Sequence, residues 1–475
     1  MTLRNSTRLC RTEAGPKTGI VHLGLGAFFR AHGAIYIKEA MAQSGGDWGI
    51  TGVSLRSLAV RDRLAPQCCL YSAVEISGHG LKQQVIDVIT DVLVAPEGPE
   101  VVLGAMASEA TRIVSLTITE KGYCRGSDGA ALDLDHPGIA HDLSHALPRT
   151  APGFIVRALE IRRKRGLRPF TVLSLDNLPA NGRLIQKIVN ELAVHIDTEL
   201  AQWIKTECKF PSTMVDRIVP ATTKAMVARL EAEAGINDPA AVVHEPFRQW
   251  VIEDQFVDDA RPDLKAAGAQ LVDDVEPFEH MKLRMLNGTH SALAYIGSLA
   301  GYVAVADAMS DPAIATFLNG MWYDEIIPSL RAPPGTDLGQ YAATLADRYR
   351  NTEIRHLLVQ IAMDGSQKLP QRILDPLFEN LCAGRPYTKL LTVVAAWFAF
   401  LQTQTDGAEI NDPLAQDLRA ALSTHSDHRQ LVANLLAINP VFGNYPTDEI
   451  ADDLAALLQA LNPQDTENSL EKVLS

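Results

Sequence analysis

The sequence is poor in cysteine and has none of it at a metal-binding or dithiol spacing. Six cysteines stand at 10, 68, 69, 124, 208 and 382 of the 475 residues. Only Cys68 and Cys69 are neighbours, and adjacent cysteines do not readily pair with each other. No C-x-x-C occurs, so neither a zinc ribbon nor a redox pair is expected. Thiols this sparse fit a reducing compartment, and the cytoplasm is the expected location. No apolar run reaches the roughly 18–20 residues that cross a bilayer, so no membrane span is expected. The opening MTLRNSTRLCRTEAG lacks the apolar stretch of a secretory leader. Basic residues are in deficit, 43 Lys and Arg against 57 Asp and Glu, for a formal net charge of −14. That argues against a general nucleic-acid binder but leaves room for a local basic pocket that takes a small anion. Internal repeats and low-complexity tracts are missing as well.

What is present is a globular composition, 47% hydrophobic and 21% charged, in a chain long enough for two or three domains of roughly 100–200 residues each. The first half alternates short branched runs with helical stretches. Ile20–Leu25, Trp48–Leu55, Val85–Val94, Arg112–Ile118 and Phe170–Leu175 read as strands, and Ala31–Ala42 and Gly153–Arg165 as helices. Strands without polar alternation imply a parallel sheet covered on both faces, hence an α/β domain. Beyond Val275-Glu276-Pro277 the pattern is almost wholly helical: His280–Ala300, Pro312–Ser329, Leu338–Tyr349, Thr352–Met363 and Leu390–Gln402. The domain boundary is placed near 275, giving domains 1–275 and 276–475, and the last ten residues, from Thr466, are expected to fray.

The first strand runs into Gly24-Leu25-Gly26-Ala27-Phe28-Phe29-Arg30. Two glycines where a strand opens into a helix let the backbone approach a pyrophosphate, which the helix N-terminus then favours. Phe29 stands where the third glycine of the dinucleotide fingerprint would be, and a tight turn with no ligand would use the same glycines. The acid that usually follows the second strand is also missing. Arg56 stands there instead, open to a 2′-phosphate or to solvent, which leaves NAD or NADP undecided.

His280–Ala300 interrupts an apolar helical pattern with Lys282, Asn287 and His290. At about 100° per residue, Asn287 lies ~140° and His290 ~80° from Lys282, so all three share one side of the helix. Such groups are costly on an apolar helix unless they are partnered or line a site. Taking a proton from an alcohol needs a base whose pKa lies near working pH, which a desolvated lysine provides. An amide beside it can donate to a developing alkoxide. A polar face at a domain boundary would show the same spacing. Thr119-Glu120-Lys121 and Asp176-Asn177 follow strands, where open parallel sheets bind ligands, and Asp216-Arg217 forms a third polar pair; each is otherwise a common cap or turn.

Taken in order, IVHLGLGAFFRAH (20–32), IVSLTITEKGY (113–123), TVLSLDNLPANG (171–182), TMVDRIVPAT (213–222), EPFRQWVIED (245–254), MKLRMLNGTHSALAY (281–295) and AMDGSQKLPQR (362–372) resemble the polyol-specific long-chain dehydrogenases, the mannitol dehydrogenase family. The likeness covers most of the chain and is most specific around Lys282; Phe29 departs from it, where the family commonly has histidine. It implies a Rossmann-like N-terminal domain with a mostly parallel sheet, a mainly α-helical C-terminal domain, NAD as cofactor with NADP not excluded, and no metal. Gly24, Gly26, Ala27, Phe28 and Arg30 would meet the cofactor. Lys282 would be general acid/base, Asn177 and Asn287 the oxyanion hole, and His290 the substrate-orienting group, while Glu120 would relay protons. Asp216 and Lys368 match substrate positions, and Gln360 stands where some mannitol-oxidising members carry arginine.

Within the family, QIAMDGSQKLPQR and EPFRQWVIED are most similar to the D-mannonate oxidoreductases, or fructuronate reductases, whose substrate carboxylate needs a cation. Arg248, Lys368 and Arg372 are available, although each could instead serve a structural salt bridge. The expected partner is therefore a small sugar acid, with a neutral polyol such as mannitol, sorbitol or arabinitol as the alternative. A nucleotide-sensing protein on a dehydrogenase scaffold would not require the Lys282, Asn287 and His290 set.

Overall fold

The computed structural model describes residues 9–126, 129, 131–235, 237–404, 410–423, 427–461 and 474. The tail expected to fray lies, apart from Leu474, outside the described residues. The chain divides into two compact units, Met1–Glu276 and Pro277–Ser475.

Unit 1 contains β1 (Thr18–Leu23), β2 (Gly49–Ser54), β3 (Tyr71–Ser77), β4 (Gly80–Ile86), β5 (Ile89–Val94), β6 (Ile113–Leu116), β7 (Thr171–Ser174), β8 (Thr213–Asp216), β9 (Val242–His244), β10 (Gln249–Glu253) and β11 (Gln270–Val272). Five of them form an all-parallel sheet in the order β5-β2-β1-β6-β7. Successive side chains of a strand point to opposite faces, and both faces are covered. Val21, Leu23, Val114 and Val172 pack with Phe154, Ile188 and Leu192 of the helices Ala151–Lys164 and Asn181–Ile196. Ile20, Ile50, Ile113 and Leu173 pack with Ile35, Tyr36 and Trp250. Burial on both sides is why these strands lack polar alternation.

Two smaller mixed sheets, β4-β3-β9 and β11-β10-β8, were not foreseen. The single strand expected over Val85–Val94 is two: β4 turns back antiparallel on β3, and β5 joins the parallel sheet. The break falls at Asp87-Val88, where the Arg11 guanidinium bonds the carbonyls of Asp87 and Ile89.

Unit 2 is helical. The near-fully buried Thr289–Leu299 and the largely buried Thr388–Thr403 pack against each other. The helix expected over Thr352–Met363 shrinks to Leu358–Ala362. Asn351 accepts from the Glu353 amide through its side chain, and Leu357 bridges Ala304, so the preceding backbone is turned and extended instead. Among the described residues, three helices carry a widened π-turn, at Lys282–Gly288, Met321–Ile326 and Pro370–Leu374.

Candidate active site

In unit 1 the strand order reverses at β1, and the crevice at the carboxyl ends of β1 and its neighbours is where such sheets take ligands. Gly24 ends β1 with φ +88°, and a Cβ there would lie 2.1 Å from the Thr117 carbonyl. Only glycine fits. Gly26 is exposed, and a Cβ on it would meet nothing nearer than the Gly24 carbonyl at 3.8 Å. The approach to this backbone is therefore open, which suits the pyrophosphate of a dinucleotide. A single helical turn follows, α1 (Ala27–Ala31), then a break at His32 and α2 (Gly33–Ser44). Ala27 and Phe28 are partly exposed at its start.

Arg30 turns inward instead. It is buried against Tyr71, and its guanidinium bonds the Gly26 and Ala240 carbonyls, so it braces the loop and does not reach out of it. Phe29 stacks on His22 with ring centroids 3.4 Å apart. His22 bonds Ser115 and Thr117 at 2.9 and 3.0 Å, and burial pushes its pKa down to about 3. The close-packing glycine that Phe29 displaced is found at Gly33, where a Cβ would lie 2.6 Å from the Phe29 ring. Arg56 is exposed just beyond β2.

Glu120 and Asn177 are both exposed, beyond the carboxyl ends of the adjacent strands β6 and β7. The buried Asp176 ties these ends together, accepting from the amides of Ile118 and Thr119 and from the Tyr123 hydroxyl at 2.9–3.0 Å. Burial raises its pKa against those bonds. Thr119 (φ +61°) and Ala180 (φ +47°) hold left-handed backbone on either side, a strain that persists only where surroundings enforce it. Glu120 lies 3.6 Å from Arg125. Asp216 ends β8 opposite Gln249, and Arg217 is used structurally on the Ala31 and Glu245 carbonyls. Arg248 is likewise committed: both its terminal nitrogens bond the Glu39 carboxylate, and its guanidinium lies 4.3 Å from the Tyr36 ring centroid. The structural salt bridge is the role its geometry favours.

In unit 2, Lys282 and His290 are buried and Asn287 is partly so. Regular α-pitch does not hold here, because Lys282 opens the π-turn. A turn closed by i→i+5 bonds sets Lys282 and Asn287 one turn apart, more nearly in line than ~140°. Its carbonyls have outside partners. Met285 O accepts from Trp322 Nε1 at 2.9 Å and Thr289 Oγ1 at 2.6 Å, and Leu286 O accepts from the Tyr349 hydroxyl at 2.9 Å. Sequence reading missed Trp322 and Tyr349, and no local pattern marks them.

His290 Nε2 has no hydrogen-bond partner among the described residues, and its ring lies 4.8 Å from Tyr349 and 5.2 Å from His356. Burial, then the fields of His356, Arg348, Arg372 and Lys282, push its pKa well down, so the imidazole is neutral near pH 7. Arg372, on the π-turn Pro370–Leu374, bonds the Ser291 hydroxyl at 3.3 Å, and burial lowers its pKa to about 10. The π-turns Lys282–Gly288 and Pro370–Leu374 touch, since a Cβ on Gly288 would lie 3.0 Å from Arg372 O. Lys368 bonds the Met363 and Ile361 carbonyls at 2.6 and 3.3 Å, and burial and then Arg372 lower its pKa. Gln360 is exposed. No cluster of three or more His, Cys, Asp or Glu side chains suited to a metal ion occurs among the described residues. No described helix is long and apolar enough to cross a membrane.

Residues 18–266 match the mannitol dehydrogenase Rossmann domain, and residues 274–462 match the mannitol dehydrogenase C-terminal domain. The chain belongs to the mannitol dehydrogenase family. With that family it is an NAD-dependent oxidoreductase acting on CH–OH groups. It is 43% identical to the D-mannonate oxidoreductase of Escherichia coli K12 over 90% of this chain and 89% of that one. It is 40% identical to a mannitol 2-dehydrogenase of Aspergillus terreus, over 90% and 87% respectively. The Pseudomonas fluorescens mannitol 2-dehydrogenase, solved as a ternary complex with NAD and D-mannitol, superposes with a TM-score of 0.83 at 37% identity, covering 99% of this chain and 96% of that one.

Proposed function

We propose that the protein interconverts a secondary alcohol and a ketone on an open-chain sugar acid, D-mannonate and D-fructuronate, using NAD. The observation that carries the acid over a neutral polyol is the character of the surroundings of His290. The side chains besides burial that hold the pKa of this ring down are His356, itself kept neutral by burial, and the three cations Arg348, Arg372 and Lys282. A carboxylate is the complement such cationic surroundings call for, and Arg372 can grip one with two parallel hydrogen bonds. The 43% identity to a D-mannonate oxidoreductase supports the same reading.

NAD, when bound, supplies the hydride acceptor; the open backbone at Gly26, after the tight turn at Gly24, is suited to its pyrophosphate. In oxidation Lys282 takes the hydroxyl proton, and in reduction it returns one. Asn287, one π-turn on, donates to the oxygen as negative charge grows on it, and Asn177 is assigned the second donation. Neutral His290 orients the substrate by hydrogen bonding, with Lys368 and Arg372 as the cations for its carboxylate. Glu120 is assigned the exchange of the lysine proton with solvent. No step calls for a metal.

Following NADH absorbance with mannonate, mannitol and arabinitol offered separately tests the reading. Preferred turnover of mannonate is expected. Far better oxidation of mannitol would replace it with the neutral-polyol reading, which the mannitol 2-dehydrogenase relatives favour. Silence with all three would favour a nucleotide sensor.

A further inference from the structure

Cys10 and Cys68 are 58 positions apart in the chain, yet their sulfurs lie 3.7 Å from each other and both residues are exposed. Arg11, the next residue after Cys10, holds the approach from both sides. Its Nε donates to the Cys68 carbonyl at 2.9 Å, and its Nη2 donates to the carbonyls of Asp87 and Ile89, each at 2.6 Å. The other side of the pair is equally fixed. Cys68 and Cys69 both adopt left-handed backbone, at φ +55° and +60°, in a turn closed by bonds from the Cys68 amide to Ala65 O and from the Cys69 amide to Leu64 O. That turn sends the two adjacent side chains different ways: Cys69 is buried with Leu64 and Tyr71 in the core, and Cys68 faces outward to Cys10.

We propose that Cys10 and Cys68 are a reversible oxidation site, joined as an intrachain disulfide when the protein meets an oxidant of the peroxide class. In the first step a thiolate attacks peroxide and the O–O bond breaks, giving a sulfenic acid and hydroxide, which takes up the proton the thiol had released and leaves as water. In the second the other thiol attacks that sulfur, the S–O bond breaks, the S–S bond forms and a second water leaves. The two thiols together lose two protons and two electrons, which peroxide takes up as it becomes two waters. A disulfide bond is about 2.0 Å long, so the sulfurs must close by roughly 1.7 Å from their present 3.7 Å. Rotation at the exposed Cys10 can supply that movement without disturbing the turn at Cys68.

Cys68 is the sulfur suited to the first step, because the Arg11 backbone and then the Cys10 side chain hold its pKa below the usual thiol value. Competing thiols are disfavoured. Cys69 and Cys124 are buried, which pushes each up to about 11, and Cys208 is buried as well. Cys382 is exposed but belongs to unit 2. The bond would tie the segment ahead of β1 to the turn ahead of β3, closing a long loop in the unfolded chain and so raising thermal stability.

The test treats the full-length protein with hydrogen peroxide, blocks the remaining thiols, and maps peptides without reductant. A single cross-linked pair joining Cys10 to Cys68 is expected, reversed by dithiothreitol, absent from Cys10→Ser and from Cys68→Ser, and retained in Cys382→Ser. The oxidised wild type should also melt at a higher temperature than the reduced protein, and Cys10→Ser should show no such rise. The wild-type map decides the matter even if a variant folds poorly. Cys68 recovered as a sulfinic acid beside a free Cys10 thiol, or linked to Cys69 or to a second chain, would overturn the proposal.

Discussion

Trp322 donates its indole N–H to the carbonyl of Met285 at 2.9 Å, in the middle of the π-turn that carries Lys282 and Asn287. The π-turn that carries the proposed base is thus bonded by a residue 37 positions from Met285 in the chain that is assigned no part in the proposed chemistry. Trp322→Phe keeps the ring and removes the donor. It should destabilise the protein by about 1–3 kcal/mol. It should also lower kcat and move the limb of the kcat–pH profile that the proposed base would set, with the KM for NADH unchanged. A lower melting temperature with an unmoved profile would make Trp322 structural only.

Lys282→Ala should lose turnover by ~10²–10⁴-fold while NADH binding, followed by fluorescence titration, stays intact. Wild-type kcat in this variant would remove Lys282 from the mechanism.

Asn177→Ala and Asn287→Ala should each lower kcat by ~10²–10³-fold, and by more than they raise KM, because an amide donates most strongly once charge has grown on the oxygen. A change confined to KM would show that the amides bind ground state and transition state alike.

Arg372→Met should weaken handling of mannonate by roughly 2–5 kcal/mol, read as kcat/KM, and scarcely affect a neutral polyol. Arg248→Ala serves as the contrast. Its pair with Glu39 and its place against Tyr36 predict a stability loss of about 1 kcal/mol with the substrate preference unchanged. If Arg248→Ala alone reversed the preference, the assignments of the two arginines would be exchanged.

Acid should destabilise the protein through its buried histidines. His22, His32 and His244 are each pushed by burial to about 3. Folding holds them neutral, whereas the unfolded chain protonates them near pH 6.5, so it binds more protons and stability falls as pH drops from about 6.5 towards 3. At pH 5 each contributes a loss of about 2 kcal/mol. Urea unfolding at pH 7 and pH 5 measures the sum, and His22→Asn should show a smaller difference between the two. Equal differences in variant and wild type would contradict the neutral assignment of His22.

The sequence by itself determined the fold class and the segments that carry the chemistry, because those signals are local. Buried strands bare of polar alternation announced the covered parallel sheet, and two glycines at a strand's end announced the turn that Gly24 makes. Lys282, Asn287 and His290 stood out within a few turns of one apolar helix. Tertiary structure alone decided whatever depends on partners distant in the chain. Along the sequence Arg248 fits either a substrate cation or a structural salt bridge, and Glu39, 209 positions away, makes it the salt bridge. Arg30 was expected by resemblance to meet the cofactor, but it is drawn inward onto the Ala240 carbonyl. The π-turn at Lys282 escaped a count made at regular pitch, since the groups that support it, Trp322 and Tyr349, come from other helices. Cys10 and Cys68 have no motif spacing, and folding brings them together. Periodicity and turn chemistry act over a few residues and can be read along a line. Ion pairs, carbonyl caps and facing thiols are chosen among all the residues that packing brings near, and that choice is made only when the chain has folded.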